Sequence, residues 1–328
     1  MNKEFQDWRP TANADIARLR ASMLQRARQY FQTQDVLEVD TPALSAAAVS
    51  DPHIESVSAT LTLDRTRPYF LHTSPEFCMK RLLCSDYPDI FQTCKVFRDN
   101  EAGRAHQPEF TMVEWYRLGF DLEQIVSDTT GFIAAVLHDD ALPEAALHLS
   151  YREAFLLFAG CDPLTADTPE LSALAGLDDN LSRSIGDDRD TWLDLLLDTK
   201  VAPRFPPDRL TVLRHYPVSQ AALARPCRAD PQLADRFEVF LGQNELANGY
   251  VELTDPDELL RRVAKDQRAR EARGQRHRPV DNAFVAAMQA GLPACAGVAA
   301  GFDRLLMICA GTDDIRNVQT FAFAEHAG

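Results

Sequence analysis

Arg98, Arg104 and His106 stand beside Asn100 and Glu101 in one dense stretch, Val96-Phe-Arg-Asp-Asn-Glu-Ala-Gly-Arg-Ala-His-Gln-Pro-Glu-Phe-Thr-Met-Val-Glu-Trp-Tyr116. That mixture suits a site holding a polyphosphate and a purine. Arginine forks match phosphate oxygens, and a glutamate or an asparagine can meet an adenine edge. A surface hairpin of mixed charge would read the same way. In a second stretch, Phe237 to Thr254, the residues Glu238, Glu245, Asn248 and Glu252 recur at short intervals. Glu238 and Glu245 could share Mg²⁺, whose hard charge prefers carboxylate and phosphate oxygens. A third stretch, Gly297-Val-Ala-Ala-Gly-Phe-Asp-Arg-Leu-Leu-Met307, reads as a glycine-bounded strand entering a helix. Arg304 falls in the first helical turn, where arginine and the helix N-terminus both favour anions.

These residues need elements to hold them. Ile16, Leu19, Met23, Ala27 and Tyr30 recur at three- and four-residue steps and predict an amphipathic first helix. Val36 to Val39 is a short extended segment. Apolar or alternating segments lie near Leu61 and Phe70, from Phe91 to Phe97 and from Glu109 to Trp115. The motif-rich stretch is therefore two strands joined by a charged loop. From about 121 to 200 the chain is Leu- and Ala-rich and acidic, broken by Gly160, Pro163 and Gly176, which predicts helices covering a sheet or a helical insertion. Strand patterns resume at Leu210 to His215, Arg236 to Leu241, Tyr250 to Leu253 and Gly297 to Gly301. Glu258 to Arg273 reads as a charged, solvated helix. Strands cluster without strict βαβ alternation, so the expected class is α+β with a mostly antiparallel sheet flanked by helices.

The bulk properties narrow the function. At 328 residues, 45% hydrophobic and 25% charged, the chain can bury a sizeable core. Its net charge of −15 disfavours broad nucleic-acid backbone binding. Met1 to Ala21 lacks a signal-type apolar run, and no stretch approaches the roughly 20 apolar residues of a membrane span. The seven cysteines (78, 84, 94, 161, 227, 295, 309) are scattered and never spaced Cys-x-x-Cys, which argues against a disulfide framework or a zinc site and for the cytoplasm. Neither Gly-x-Gly-x-x-Gly nor Gly-x-x-x-x-Gly-Lys-Ser/Thr occurs, so a bound nucleotide must be held by side chains.

Taken in order, the motifs resemble class II aminoacyl-tRNA synthetases, most closely the lysyl-tRNA synthetase-like branch. Val36-Leu-Glu-Val-Asp-Thr-Pro-Ala-Leu44 resembles motif 1, the dimer-forming segment. Phe97-Arg98 through Pro108-Glu109-Phe110-Thr111 resembles motif 2, and Gly297 to Leu305 resembles motif 3. Thr73-Ser-Pro-Glu76 and Glu245-Leu-Ala-Asn-Gly249 fit the same branch. The first helix begins within about fifteen residues of Met1, so no anticodon-binding domain is expected. That stand-alone core, with His106 to Arg117 and Glu245 to Pro256, is similar to the elongation factor P β-lysine ligase family.

The resemblance implies one class II catalytic domain over 1–328 with a helical insertion around 121–200. It implies ATP-dependent activation of (R)-β-lysine as its adenylate, with transfer to a lysine ε-amine on elongation factor P. Arg98 would hold the α-phosphate, and Phe110 and Arg304 would sandwich adenine. Asn100, Glu101, His106, Gln107, Leu246 and Gly301 would border the nucleotide. Glu238 and Glu245 would hold Mg²⁺. Ser74, Pro75, Glu76, Glu114, Tyr116, Asn248, Glu252 and Ala299 would line the amino-acid pocket, where two buried ammonium groups require paired carboxylates. The resemblance also implies a homodimer and neither stable tRNA binding nor a membrane.

The chain departs from the branch at four places. Asn100 stands where lysyl-tRNA synthetases have glutamate, with Glu101 next, so either could meet the adenine. Gln107 replaces asparagine and Asp35 replaces the motif 1 glycine. Ala299 replaces a pocket glycine, and its methyl is expected to help prefer β-lysine over α-lysine. Two other readings share the motifs: a truncated synthetase transferring lysine to tRNA or a small molecule, and a non-catalytic regulatory relative.

Overall fold

The computed structural model describes residues 9–138 and 145–323. The two ends of the expected 1–328 domain, and a few residues of the 121–200 segment, lie outside these. The first helix, α1 (Ala14–Gln32), forms as the spacing predicts: Asn13 caps it, and Met23, Ala27 and Phe31 are buried. Short strands follow, β1 (Leu37–Glu38), β2 (Leu44–Ser45), β3 (Ser58–Ala59) and β4 (Tyr69–Leu71). The last three make a small sheet of their own, ordered β2-β4-β3. After α2 (Glu76–Leu83) comes the long hairpin of β5 (Ile90–Phe97) and β6 (Glu109–Leu118), then α3 (Leu122–Leu137).

The segment read as helices over a sheet or an insertion is mostly helical, with one short strand. Helix α3 packs Ile125, Phe132, Ile133 and Val136 into the main core. Beyond it, β7 (Leu147–Ser150) joins the main sheet, and α4 (Tyr151–Phe158), α5 (Thr168–Ala175), α6 (Asp179–Ile185) and α7 (Arg189–Leu196) follow. They bury a second apolar cluster around Tyr151, Phe155, Trp192, Leu193 and Leu196. Helix α7 runs into a π-helical turn, Leu197–Val201.

The remaining elements are β8 (Leu210–Pro217), β9 (Leu233–Leu241), β10 (Asn244–Val251), α8 (Pro256–Ala272), α9 (Asn282–Gly291), β11 (Cys295–Gly301) and α10 (Phe302–Ala310). Eight strands form the main sheet in the order β1-β5-β6-β11-β10-β9-β8-β7. Only the outer pairs β1–β5 and β7–β8 are parallel, so the α+β, mostly antiparallel expectation holds. Helix α8 is less solvated than its charge suggested. Arg270 is fully buried, donating to Glu55 Oε2 (2.7 Å), to the Asp51 carbonyl (3.1 Å) and to the Arg276 carbonyl (3.0 Å). Arg278 also pairs with Glu55. Glu55 comes from a segment far off in sequence, so the helix pattern alone could not reveal the pair.

Candidate active site

One row of residues crosses the sheet. Gln92 on β5 is opposite Glu114 on β6, which is opposite Ala299 on β11, then Asn248 on β10 and Glu238 on β9. Directly opposed residues of antiparallel strands share a face. Pairing thus gathers residues from three distant stretches of sequence. The neighbouring row holds Tyr116, Gly297, Tyr250 and Arg236.

The β6 end of these rows is a closed cluster of acids. Glu114 and Tyr116, two apart on one strand, are both buried, and the Tyr116 hydroxyl donates to Glu114 Oε1 (2.7 Å). Ser74 donates to Glu114 Oε2 (2.7 Å) and accepts the backbone N–H of Glu76 (2.9 Å), fixing the start of α2 after Pro75. Four residues on, and so on the same helical face, Lys80 is fully buried. Its Nζ lies 2.6 Å from Glu76 Oε1 and 2.5 Å from Glu252 Oε2. The Tyr250 hydroxyl also donates to Glu76 Oε1 (2.7 Å).

Charge is crowded here. Burial pushes the Glu114 carboxyl up to about 7, with repulsion from Glu76 adding to it. Burial likewise pushes Glu252 up to about 8; Lys80 pulls against that shift and Glu76 and Glu114 reinforce it. Burial works against the Lys80 ammonium, but Glu252 and Glu76 outweigh it and keep it charged. Asn248 Oδ1 and Glu252 Oε1 are buried without a hydrogen bond among the described residues. The cluster offers more acceptors than its single lysine can satisfy. Packing is tight: a Cβ at Gly297 would come within 2.5 Å of both Glu252 Oε1 and Tyr116 Cε1.

The other half collects around Arg304, placed by β11 running straight into α10. Asp303 anchors that junction by accepting the Thr111 N–H (2.7 Å) on β6 and the guanidinium of Arg20 (2.5 Å) on α1. Arg304 donates to the Glu245 carbonyl (2.8 Å) and lies 2.8 Å from His106 Nε2. Arg98 sits 5.1 Å over the Phe110 ring and 3.8 Å from Glu101, with a buried Nε that has no partner among the described residues. Burial first, then Arg304, lowers the His106 pKa, which leaves the imidazole neutral. Gly301 underlies Arg304, whose Cδ would be 3.7 Å from an added Cβ.

Glu238 is buried and accepts from Arg236 (2.6 Å), which also stacks over Tyr216. Burial and then repulsion from Glu245 push Glu238 up to about 7, so the two carboxylates feel each other strongly.

Glu101, His106, Arg98, Phe110, Arg304 and Glu245 are thus brought together, and so are Ser74, Glu76, Glu114, Tyr116 and Glu252. Of the two residues left open at the turn, Glu101 joins the charged cluster. Asn100 takes a left-handed turn conformation (φ 64°) and is exposed. Two of the residues expected at the nucleotide are also held by other parts of the chain. Gln107 is buried with its side-chain oxygen accepting the Phe323 N–H (2.8 Å), which ties it to the chain's end. Leu246 sits at a β-bulge between Glu245 and Ala247 that sends its side chain into the main core, so only its backbone can border a nucleotide. Arg104 turns outward to Asp313.

Sequence reasoning missed Lys80, Asp303, Arg20 and Asp198. The Glu76–Lys80 spacing was the available signal for Lys80. Asp198, on the π-helical turn, is close enough to Glu245 and Arg304 to feel both charges.

Residues 1–325 match the family of class II tRNA synthetases (D, K and N). The Elongation factor P–(R)-beta-lysine ligase of Pasteurella multocida is 39% identical over 321 residues, 97% of this chain and 98% of that protein. Proteins of the same name from Actinobacillus succinogenes and Vibrio cholerae are each 41% identical, over 324 and 323 residues, with the same coverage.

Proposed function

The chain belongs to the class II tRNA synthetase family, alongside the elongation factor P–(R)-β-lysine ligases, and from that premise we propose that it activates (R)-β-lysine with ATP and transfers it to a lysine ε-amine of elongation factor P. The observation that carries the substrate class is the buried acid cluster. Glu76, Glu114 and Glu252 face one lysine, so the pocket stays two charges short when all three carboxyls are ionised. A diamino acid supplies those two charges. An apolar amino acid would leave buried carboxylates unpaired, at a cost of several kcal/mol each.

In the first step a carboxylate oxygen of the amino acid attacks the α-phosphorus, the bond to the bridging oxygen breaks, and pyrophosphate leaves. Arg98 would stabilise the charge growing on the α-phosphate, and Arg304, held by Glu245 and beside neutral His106, would fix the nucleotide. In the second step the acceptor ε-amine attacks the acyl carbon, AMP departs, and the amine proton is lost to solvent. No protein nucleophile is needed, so catalysis is positioning and electrostatics.

Glu238 and Glu245 form a pair of hard oxygen donors beside the nucleotide half, which fits Mg²⁺. When bound, the ion would neutralise phosphate charge. The motif 1 segment, with Leu37 and Leu44 exposed, fits a homodimer contact. Among the described residues no helix is long and apolar enough to cross a membrane, in keeping with action on a translation factor in the cytoplasm.

Mass spectrometry of elongation factor P after incubation with ATP and each lysine isomer tests the proposal. A mass gain with (R)-β-lysine, and little with α-lysine, is expected. Aminoacylation of tRNA with no change in elongation factor P would overturn it.

A further inference from the structure

Away from the acid cluster, His215, Cys227 and Asp235 meet where β8 and β9 fall out of register. The pairing shifts between Arg214 and Tyr216, so Asp235 and Arg236 together oppose His215. Such a bulge re-aims side chains. Arg236 goes to Glu238 and the Gln220 carbonyl, while Asp235 goes the other way to Arg225. His215 itself has φ 61°, a conformation unusual for a residue with a side chain. The segment after Arg225 is stitched along β9 by Asp235 N–H to the Arg225 carbonyl (3.0 Å) and Cys227 N–H to the Leu233 carbonyl (2.8 Å). That stitching delivers the thiol to the same point.

The result is three potential ligand atoms, an imidazole nitrogen, a thiol sulfur and a carboxylate oxygen, all within 4.8 Å of one another. His215 Nδ1 is buried and has no hydrogen-bond partner among the described residues. Asp235 is buried, and its Oδ2 accepts from Arg225 Nε at 2.7 Å. A ligating carboxylate is commonly held by just such an outer partner.

We propose that His215, Cys227 and Asp235 form a Zn²⁺ site that clamps the start of β9. The donor set decides the metal: a thiolate and an imidazole beside one carboxylate suit Zn²⁺ and exclude Mg²⁺ and Ca²⁺, which take oxygen. Zinc bonds of about 2.0–2.3 Å in a tetrahedron put ligand atoms about 3.4–3.7 Å apart. The three side chains must therefore close by about an ångström, which rotamer adjustment can supply. Binding releases the thiol proton, and water takes the fourth position. The clamp sits next in sequence to Arg236, the residue that holds Glu238. The site is therefore structural and separate from the nucleotide's cation.

The test uses the full chain, stripped with chelator and titrated with Zn²⁺ against a chromophoric competitor, then with Co²⁺. One Zn²⁺ per chain is expected, along with a higher unfolding temperature. Co²⁺ should give a thiolate-to-metal charge-transfer band that Cys227→Ser abolishes. Cys227→Ser should weaken Zn²⁺ by more than the roughly 10- to 100-fold expected of Arg225→Gln, which touches only an outer partner. A Co²⁺ spectrum of the unaltered protein without a thiolate band overturns the proposal whether or not the variants fold. So does Zn²⁺ affinity that Cys227→Ser and Asp235→Asn leave unchanged.

Discussion

Gly297→Ala is the sharpest probe of the amino-acid pocket, because one methyl meets two of its residues at once. Its Cβ would lie 2.5 Å from Glu252 Oε1 and from Tyr116 Cε1, and 2.7 Å from Tyr116 Cδ1. Ordinary contact begins about 1 Å further out, so both side chains must move about that far. Neither is free to do so cheaply. Glu252 is gripped by Lys80 and Tyr116 is bonded to Glu114, all of them buried. Overpacking of this kind costs about 1–3 kcal/mol of stability. A displacement of about 1 Å at groups that orient a substrate costs about 100-fold in rate. The assay is amino-acid-dependent ATP–pyrophosphate exchange with thermal unfolding alongside. The expected result is a loss of about two orders of magnitude in kcat/KM for the diamino acid, a modest fall in Tm, and an ATP KM that barely moves. A normal kcat/KM for the amino acid in a folded Gly297→Ala protein would refute the reasoning, since Gly297 would then not abut the pocket.

Further predictions follow the same geometry. Glu114→Gln or Glu252→Gln should raise the amino-acid KM by about 30-fold or more, the effect of unpairing a buried charge, while ATP binding persists in a nucleotide-binding assay. Lys80→Met should destabilise the protein by about 3–5 kcal/mol in denaturant unfolding, because it leaves the buried Glu252 and the half-buried Glu76 without their cation. Glu114 and Glu252 carry folded-state pKa values of about 7 and 8 against an ordinary 4.5, so the folded protein holds extra protons between those values. Ligand-free stability should therefore fall as pH rises from about 4.5 to about 8 and level off above it, as Tm against pH will report. A dication favours the ionised forms, so its Kd should tighten over the upper part of that window, by up to tenfold per carboxyl per pH unit. Ala299→Gly, opposite both Glu114 and Asn248, should narrow the preference for β-lysine over α-lysine in adenylate formation.

The longer strands and the first helix were legible because each carries its own periodicity, and the β5–β6 hairpin because its charged loop interrupts two apolar runs; the short β7 lay unseen inside the segment read as helical. The convergence of Glu114, Asn248 and Glu252 was legible only through the family resemblance. Nothing local to β6 or β10 reveals which strand lies between them. Lys80 escaped notice because four-residue spacing from a glutamate usually marks a surface pair, whereas here the helix face turns inward. The Glu258 to Arg273 helix was misread for the mirror reason. Its charge suggested solvent, but Glu55, more than two hundred residues away, draws Arg270 and Arg278 into the interior. The packing of Leu246 and Gln107 was unreadable for want of local information. A bulge reverses one and a contact from the chain's end captures the other.

Arg20 reaches from the long first helix to Asp303, the residue immediately before the arginine that meets His106 and the Glu245 carbonyl. The other arm of the same guanidinium meets the Thr111 hydroxyl on β6. One fork thus fastens the first helix to the β11–α10 junction, so the floor under Arg304 is braced from outside the amino-acid cluster and would loosen without it.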